Sequence, residues 1–201
     1  EDGTLLPSKR DNYKEENVVT GAVFMNKFVV SGTMWRNFFK RSLFSNHNLS
    51  LIEGIFHEDE EFIIQALSYS ERVQYFDYKF YVYLLRENST VNNKSVEHRL
   101  KLLRDIITVV ESLNKRLGQL DSLNDRLLYT GIARKKEQLL VSICLRLIKE
   151  NYTIREIQGI IDLMKNKCLY PLVVTHSTLK FKIISRFLNN RGFLFCMSKI
   201  I

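Results

Sequence analysis

The densest cluster of ionisable side chains in the sequence is Glu58-Asp59-Glu60-Glu61, at the point where a loop pattern gives way to a helical one. A helix N-terminus carries unpaired N–H groups and a partial positive charge, which keeps a carboxylate ionised. Neighbouring carboxylates push the other way and raise its pKa. A carboxylate balanced between the two can serve as a general base near neutral pH. The competing reading is structural: Asp is a favoured N-cap, and acids are common in a first helical turn.

Trp35 is the only Trp and is followed by Arg36 and by Phe38-Phe39. A Trp so placed can offer a stacking face to a sugar or base, or can fill a core. Arg86 follows the aromatic run Phe80-Tyr81-Val82-Tyr83, where a guanidinium can clamp a phosphate with two parallel hydrogen bonds or pair with an acid. His47, His57, His98 and His176 show no metal-ligand spacing, and there is no Gly-rich phosphate loop or G-x-S-x-G element. Cys144, Cys168 and Cys196 lie far apart, which excludes a CxxC motif and a full disulfide framework and fits a reducing compartment.

The elements that must position these residues follow from periodicity. Residues 1–17 are polar and read as a surface loop. Val18 to Val30 is helix-compatible and closes on Ser31-Gly32. Thr33 to Phe39, rich in aromatics, predicts a buried strand, and Arg41 to Asn46 a short helical turn. Leu49 to His57 is loop or extended. From Asp59 the 3.6-residue period places Phe62, Ile63, Ala66 and Leu67 on one face, and Arg72 to Leu85 then predicts one or two strands. After a polar break at Glu87 to Ser95, apolar stripes begin at Leu103, Leu140 and Ile154, and a last one runs from Leu179 to Leu188. The predicted organisation is a mixed α/β portion over 1–92 followed by a helical region over 93–201 with a basic amphipathic tail.

Composition bounds the function classes. Of 201 residues, 45% are hydrophobic and only ten are Pro or Gly, which excludes a disordered or collagen-like chain. The longest stretch without a charged side chain, Cys168 to Leu179, is too short to cross a bilayer. The net charge of +8 is unevenly spread: residues 1–100 carry 12 cations against 14 acids, and residues 101–201 carry 18 against 8. No acid follows Asp162, whereas seven cations do, so the tail suits a polyanion, whether anionic lipid head groups, nucleic acid or an acidic partner, or is a solvated basic helical surface. The chain begins Glu1-Asp2-Gly3 without Met, and reads as part of a longer protein.

The order of these signals is more specific than any one of them. Gly32-Thr33-Met34-Trp35-Arg36-Asn37-Phe38-Phe39-Lys40-Arg41-Ser42-Leu43, then Glu53-Gly54 and His57-Glu58-Asp59-Glu60-Glu61-Phe62, then Arg72-Val73 and the run Tyr81 to Thr90, together resemble family-2 glycosyltransferases. The resemblance covers residues 18–90. It implies the acceptor half of a GT-A catalytic domain and an inverting transfer from a nucleotide-diphospho-sugar to an acceptor hydroxyl, in surface polysaccharide or glycan synthesis. Asp59 then matches the general base, with Glu58 beside it. Trp35, Arg36, His57 and Arg86 fall where that family contacts its substrates. Asn37 and Leu84 stand where the family usually has Lys and Arg. No D-x-D occurs, so the divalent metal (Mn or Mg) implied by the resemblance would have its ligands outside this chain, and the chain alone is expected to be inactive. The expected partners are a sugar nucleotide and a glycan or lipid-linked acceptor, not nucleic acid. The expected location is cytoplasmic, at the inner face of a membrane. The alternative from another class is a non-catalytic helical interaction module with a membrane- or nucleic-acid-binding tail.

Overall fold

The computed structural model describes residues 17–76, 78, 80–82, 95–190, 192, 193 and 196. Among them are seven α-helices: α1 (Gly21–Lys27), α2 (Arg41–His47), α3 (Glu58–Ser68), α4 (Val96–Gly118), α5 (Arg126–Lys149), α6 (Ile154–Asn166) and α7 (Leu179–Leu188), with one 3-10 turn at Met34–Arg36.

α4 and α5 form the central hairpin, and both stripes read from the sequence face inward. Leu103, Ile106, Ile107, Val110, Leu113 and Leu117 are buried on α4, as are Leu140, Ile143, Cys144, Leu147 and Ile148 on α5. Side chains buried as fully as Ile107 or Leu113 each cost about 3 kcal/mol when cut to Ala. Ser95 starts α4 by accepting the His98 N–H at 3.2 Å. At the foot of the hairpin, Asp121 accepts from the backbone of Leu123 and Asn124, which satisfies donors that the turn would otherwise orphan. α6 begins with a reciprocal cap in which the Thr153 hydroxyl accepts from the Glu156 N–H and the Glu156 carboxylate accepts from the Thr153 N–H. Its Ile157, Ile160, Ile161 and Met164 join the same core, while Ile154 at the helix start stays exposed.

The core runs without interruption from α1 and α3 into α4 and α5: Phe24, Met25 and Ile63 belong to one buried cluster with Leu103, Ile132 and Ile143. α1 is fixed at both ends. Thr20 caps it, and the Gly21 N–H donates to Ser70 O at 2.7 Å. A Cβ on Gly21 would lie 1.9 Å from the Leu67 carbonyl oxygen, so this close approach to the end of α3 admits no side chain. On its other side, Asn26 donates to Leu127 O at 2.6 Å and accepts from Arg134 through its backbone carbonyl.

The predicted mixed α/β class is corrected: the described residues are all-helical and hold no strand, so this is not an α/β GT-A domain. Where a strand was expected at Thr33 to Phe39, the backbone makes a 3-10 turn and leaves Phe38 82% exposed. Of the predicted strands over Arg72 to Leu85, the described part makes one isolated bridge, Val19 to Val73. The physical reason is pairing. Aromatic and β-branched residues suit a sheet only where a neighbouring strand completes the ladder, and here they stack on one another instead. Residues 83–85 lie outside the described residues. The predicted turn at Arg41 to Asn46 is α2, ended by Asn48 in the left-handed region at φ 49°.

Candidate active site

The four acids at the start of α3 divide into two pairs. Glu61 is buried and accepts from Ser112 Oγ of α4 at 2.7 Å and from Gln65 Nε2 at 2.6 Å. Glu60 forms an ion pair with Lys135 of α5, whose ammonium also donates to Val30 O at 2.7 Å. These two acids anchor the helix to the rest of the fold. Glu58 and Asp59, on the first turn, remain partly open to solvent.

The loop leading into α3 is held from below. Asp105 of α4 accepts the Phe56 N–H at 2.8 Å and the Lys101 ammonium at 2.6 Å, and Lys101 also reaches Gly54 O. The N-cap is His57, in the left-handed region at φ 64°, with no side-chain cap hydrogen bond. Asp59 is therefore the second helical residue and not the cap, while all four acids lie in the first turn as the structural reading also had it. Its carboxyl is pushed up to about 6, first by burial and then by repulsion from Glu60 and Glu58. A hydrogen bond from the Glu60 N–H and the Lys135 charge act against that rise. A carboxylate with this pKa is part protonated near neutrality and suits proton abstraction.

His57 faces inward. Its Nε2 is buried without a hydrogen-bond partner. Burial, followed by repulsion from Arg146, holds the imidazole below its ordinary value against the pull of Glu60, Glu58 and Asp105. Trp35 stacks on Tyr81 with centroids 4.9 Å apart and planes 29° apart, and the Arg36 guanidinium lies 4.8 Å above the same indole. Phe38 meets Phe80 at 4.3 Å, which extends this aromatic surface. Arg86 lies outside the described residues.

Three segments singled out in the sequence thus come together. Gly32 lies so close to Glu60 that a Cβ would come within 2.5 Å of the Glu60 carboxyl carbon. Phe39 meets Phe62 edge-on at 5.7 Å, and Trp35 carries Tyr81. Lys135, which fastens α3 to Val30, was not singled out from the sequence. Its signal was available: Ile132, Lys135 and Leu139 share a helical face, so Lys135 is a cation on an apolar stripe. Two surface depressions, one lined by Ser95, Glu97, His98, Lys101 and Arg104 and one by Leu100, Arg104, Arg155, Glu156, Gly159 and Ile160, contain none of the predicted site residues. Among the described residues no group of three or more His, Cys, Asp or Glu can hold a metal ion. No described helix is long and apolar enough to cross a membrane. No protein family, curated protein or solved structure matches the chain.

Proposed function

We propose that these residues supply the acceptor side of an inverting, family-2-like glycosyltransferase site, with Asp59 as the base. The segment from Gly32 to Phe39 supports this reading: it packs on Glu60 and Phe62 of α3 and stacks through Trp35 on Tyr81. These segments lie apart in the chain, and the one after Gly32 links the helix that carries Asp59 to the Trp35–Tyr81 stack. The reading rests on that arrangement and not on a sheet.

In this reading the acceptor hydroxyl gives its proton to the Asp59 carboxylate as its oxygen bonds to the anomeric carbon. The bond from that carbon to the nucleoside diphosphate breaks, and the diphosphate leaves with the electron pair. Burial, then repulsion from Glu60 and Glu58, keeps the Asp59 pKa high. The indole and phenol rings of Trp35 and Tyr81 present flat faces on which a sugar ring can lie. No group among the described residues fits the divalent metal that the resemblance implies, and the step above draws on protein side chains alone. A cytoplasmic site facing a membrane belongs to the same proposal.

The test is release of nucleoside diphosphate from a panel of sugar nucleotides by the intact protein, wild type against Asp59→Asn. The expected loss in kcat is at least about a hundredfold, with helicity unchanged. Retention of more than about a tenth of wild-type kcat, a loss under about 1.4 kcal/mol, overturns the base assignment. A second reading, a helical interaction module, is favoured by the exposure of Phe38, Phe76 and Tyr78. It is supported instead if no sugar nucleotide is turned over and Phe38→Ser abolishes capture of a partner protein.

A further inference from the structure

α7 carries two apolar faces where the sequence suggested one. Ser185 and Leu188 are buried, and Phe181 and Ile184 pack against the main core. Leu179, Ile183 and Phe187 form a second stripe, spaced four residues apart and exposed at 71%, 45% and 55%. On a helix with 3.6 residues per turn, Lys180 flanks this stripe on one side and Lys182 and Arg186 flank it on the other. None of the three cations makes an ion pair among the described residues, whereas Lys165 and Lys167 are engaged with Asp162 and Glu111.

The helix is also firmly placed. Tyr170 donates from its hydroxyl to Leu188 O at 3.0 Å, and the Asn189 amide exchanges two hydrogen bonds with the Leu172 backbone, at 2.6 and 3.0 Å. Inward packing is therefore satisfied without Leu179 and Ile183, while Phe187, although in ring contact with Phe193 at 5.6 Å, keeps more than half of its surface open.

We propose that this outer stripe of α7 docks on the surface of an anionic bilayer, with Leu179, Ile183 and Phe187 entering the acyl boundary and Lys180, Lys182 and Arg186 meeting the headgroup phosphates. The charge pattern selects this occupant. Cations flanking an apolar centre are the arrangement of a helix lying in the interface plane, where long basic side chains reach back to the headgroups. A nucleic acid would instead need cations at the centre of the contact, with aromatics to stack on bases. No acid follows Asp162 in the sequence, so nothing in this part of the chain opposes an anionic surface. Each cation engaged there strengthens binding about fivefold, and three together about a hundredfold. This inference stands independently of the proposed enzyme activity.

The test is co-sedimentation of the 201-residue chain with vesicles of phosphatidylcholine alone and of phosphatidylcholine containing about one quarter phosphatidylglycerol, at about 0.05 M and about 0.5 M salt. Two variants accompany it, Leu179→Ser/Ile183→Ser/Phe187→Ser and Lys180→Gln/Lys182→Gln/Arg186→Gln, each checked for wild-type helicity by circular dichroism. The expected result is binding at least about tenfold tighter to the anionic vesicles, weakened by salt and weakened at least about tenfold by either variant. Equal binding to both vesicles, or indifference to salt, overturns the proposal. So does a result in which the apolar variant binds as well as wild type while a short RNA strips the protein from the vesicles.

Discussion

Lys135 of α5 and Glu60 of α3 form an ion pair whose side chains are only 8% and 22% exposed, and the same ammonium holds the Val30 carbonyl. One side chain therefore joins the helix that carries Asp59 to the segment that leads to Trp35. Lys135→Met removes the partner from a largely buried carboxylate and a donor from a backbone carbonyl. We expect a loss of about 3 kcal/mol in urea unfolding. Glu60→Gln combined with Lys135→Met should cost less than the sum of the two single changes, because the orphaned charge is then absent.

Asp59 gives stability a distinctive pH dependence. Its folded pKa of about 6 lies above the unfolded value of about 4, so between these limits the folded state holds more protons than the unfolded state. Stability contributed by this group is therefore present below about pH 4, is lost as the pH rises through about 6, and stays constant above that. After solvent screening, wild type should lose about 1 kcal/mol relative to Asp59→Asn between pH 4 and pH 7, read from paired urea midpoints. If Asp59 is the base, kcat/KM of the intact protein falls below about pH 6 as the carboxylate takes a proton.

Glu137 behaves in the opposite sense. Its carboxylate accepts the backbone N–H groups of Thr175, His176 and Ser177 at 2.7 to 3.2 Å, together with the Thr175 hydroxyl. Burial alone would raise its pKa, but these donors outweigh burial and hold it below the ordinary carboxylate range. The stability it contributes is present above the unfolded value of about 4.5 and is lost as the pH falls through the lower folded pKa. Glu137→Gln should cost about 2 kcal/mol at pH 7 and remove that acid-side loss. Hydrogen exchange should show the amides of Thr175, His176 and Ser177 losing protection first.

Gly32→Ala tests how tightly the site segments are packed. A Cβ there would lie 2.5 to 2.7 Å from three Glu60 atoms, one of them the Cα, so the side chain cannot simply swing aside. The expected cost is about 2 kcal/mol. The same change should weaken the Glu60–Lys135 pair, so that Lys135→Met costs less in the Gly32→Ala background than in wild type.

The helices were legible in the sequence wherever one face was apolar. The stripes from Leu103 and from Leu140 each bury the residues that periodicity placed inward, and α3 begins within one residue of its expected start. The aromatic stretches were misread because composition reports what a residue packs well against, not whether a partner strand is there to pair with it. Trp35 with Tyr81 and Phe38 with Phe80 are satisfied by ring contacts that need no ladder. Within the candidate site the charge run marked the four acids at the start of α3, and the resemblance singled out Asp59 among them. The charge run could not tell which acids were engaged in the structure, because Lys135 and Ser112 approach from helices 75 and 51 residues away in the chain. The split of α7 into two faces was hidden for a related reason, since Ile183 and Ile184 are neighbours in sequence and only tertiary packing sends one inward.

The docking of α1 on α5 bears on how the polypeptide emerges from the ribosome. Asn26 and its partner Leu127 are 101 residues apart. At about 5–20 residues per second, α1 waits about 5–20 s before α5 has been synthesised. A seven-residue helix is too short to persist alone in water, so until α5 arrives α1 has only its contact with the end of α3 to hold it, and the α5-facing side of Met25 stays uncovered. The α4–α5 hairpin, whose contacts are local, has everything it needs to close first, and the earlier-made segment then wraps back onto it. Slowing translation between α1 and α5 should therefore lengthen the exposure of that apolar segment to chaperones and proteases.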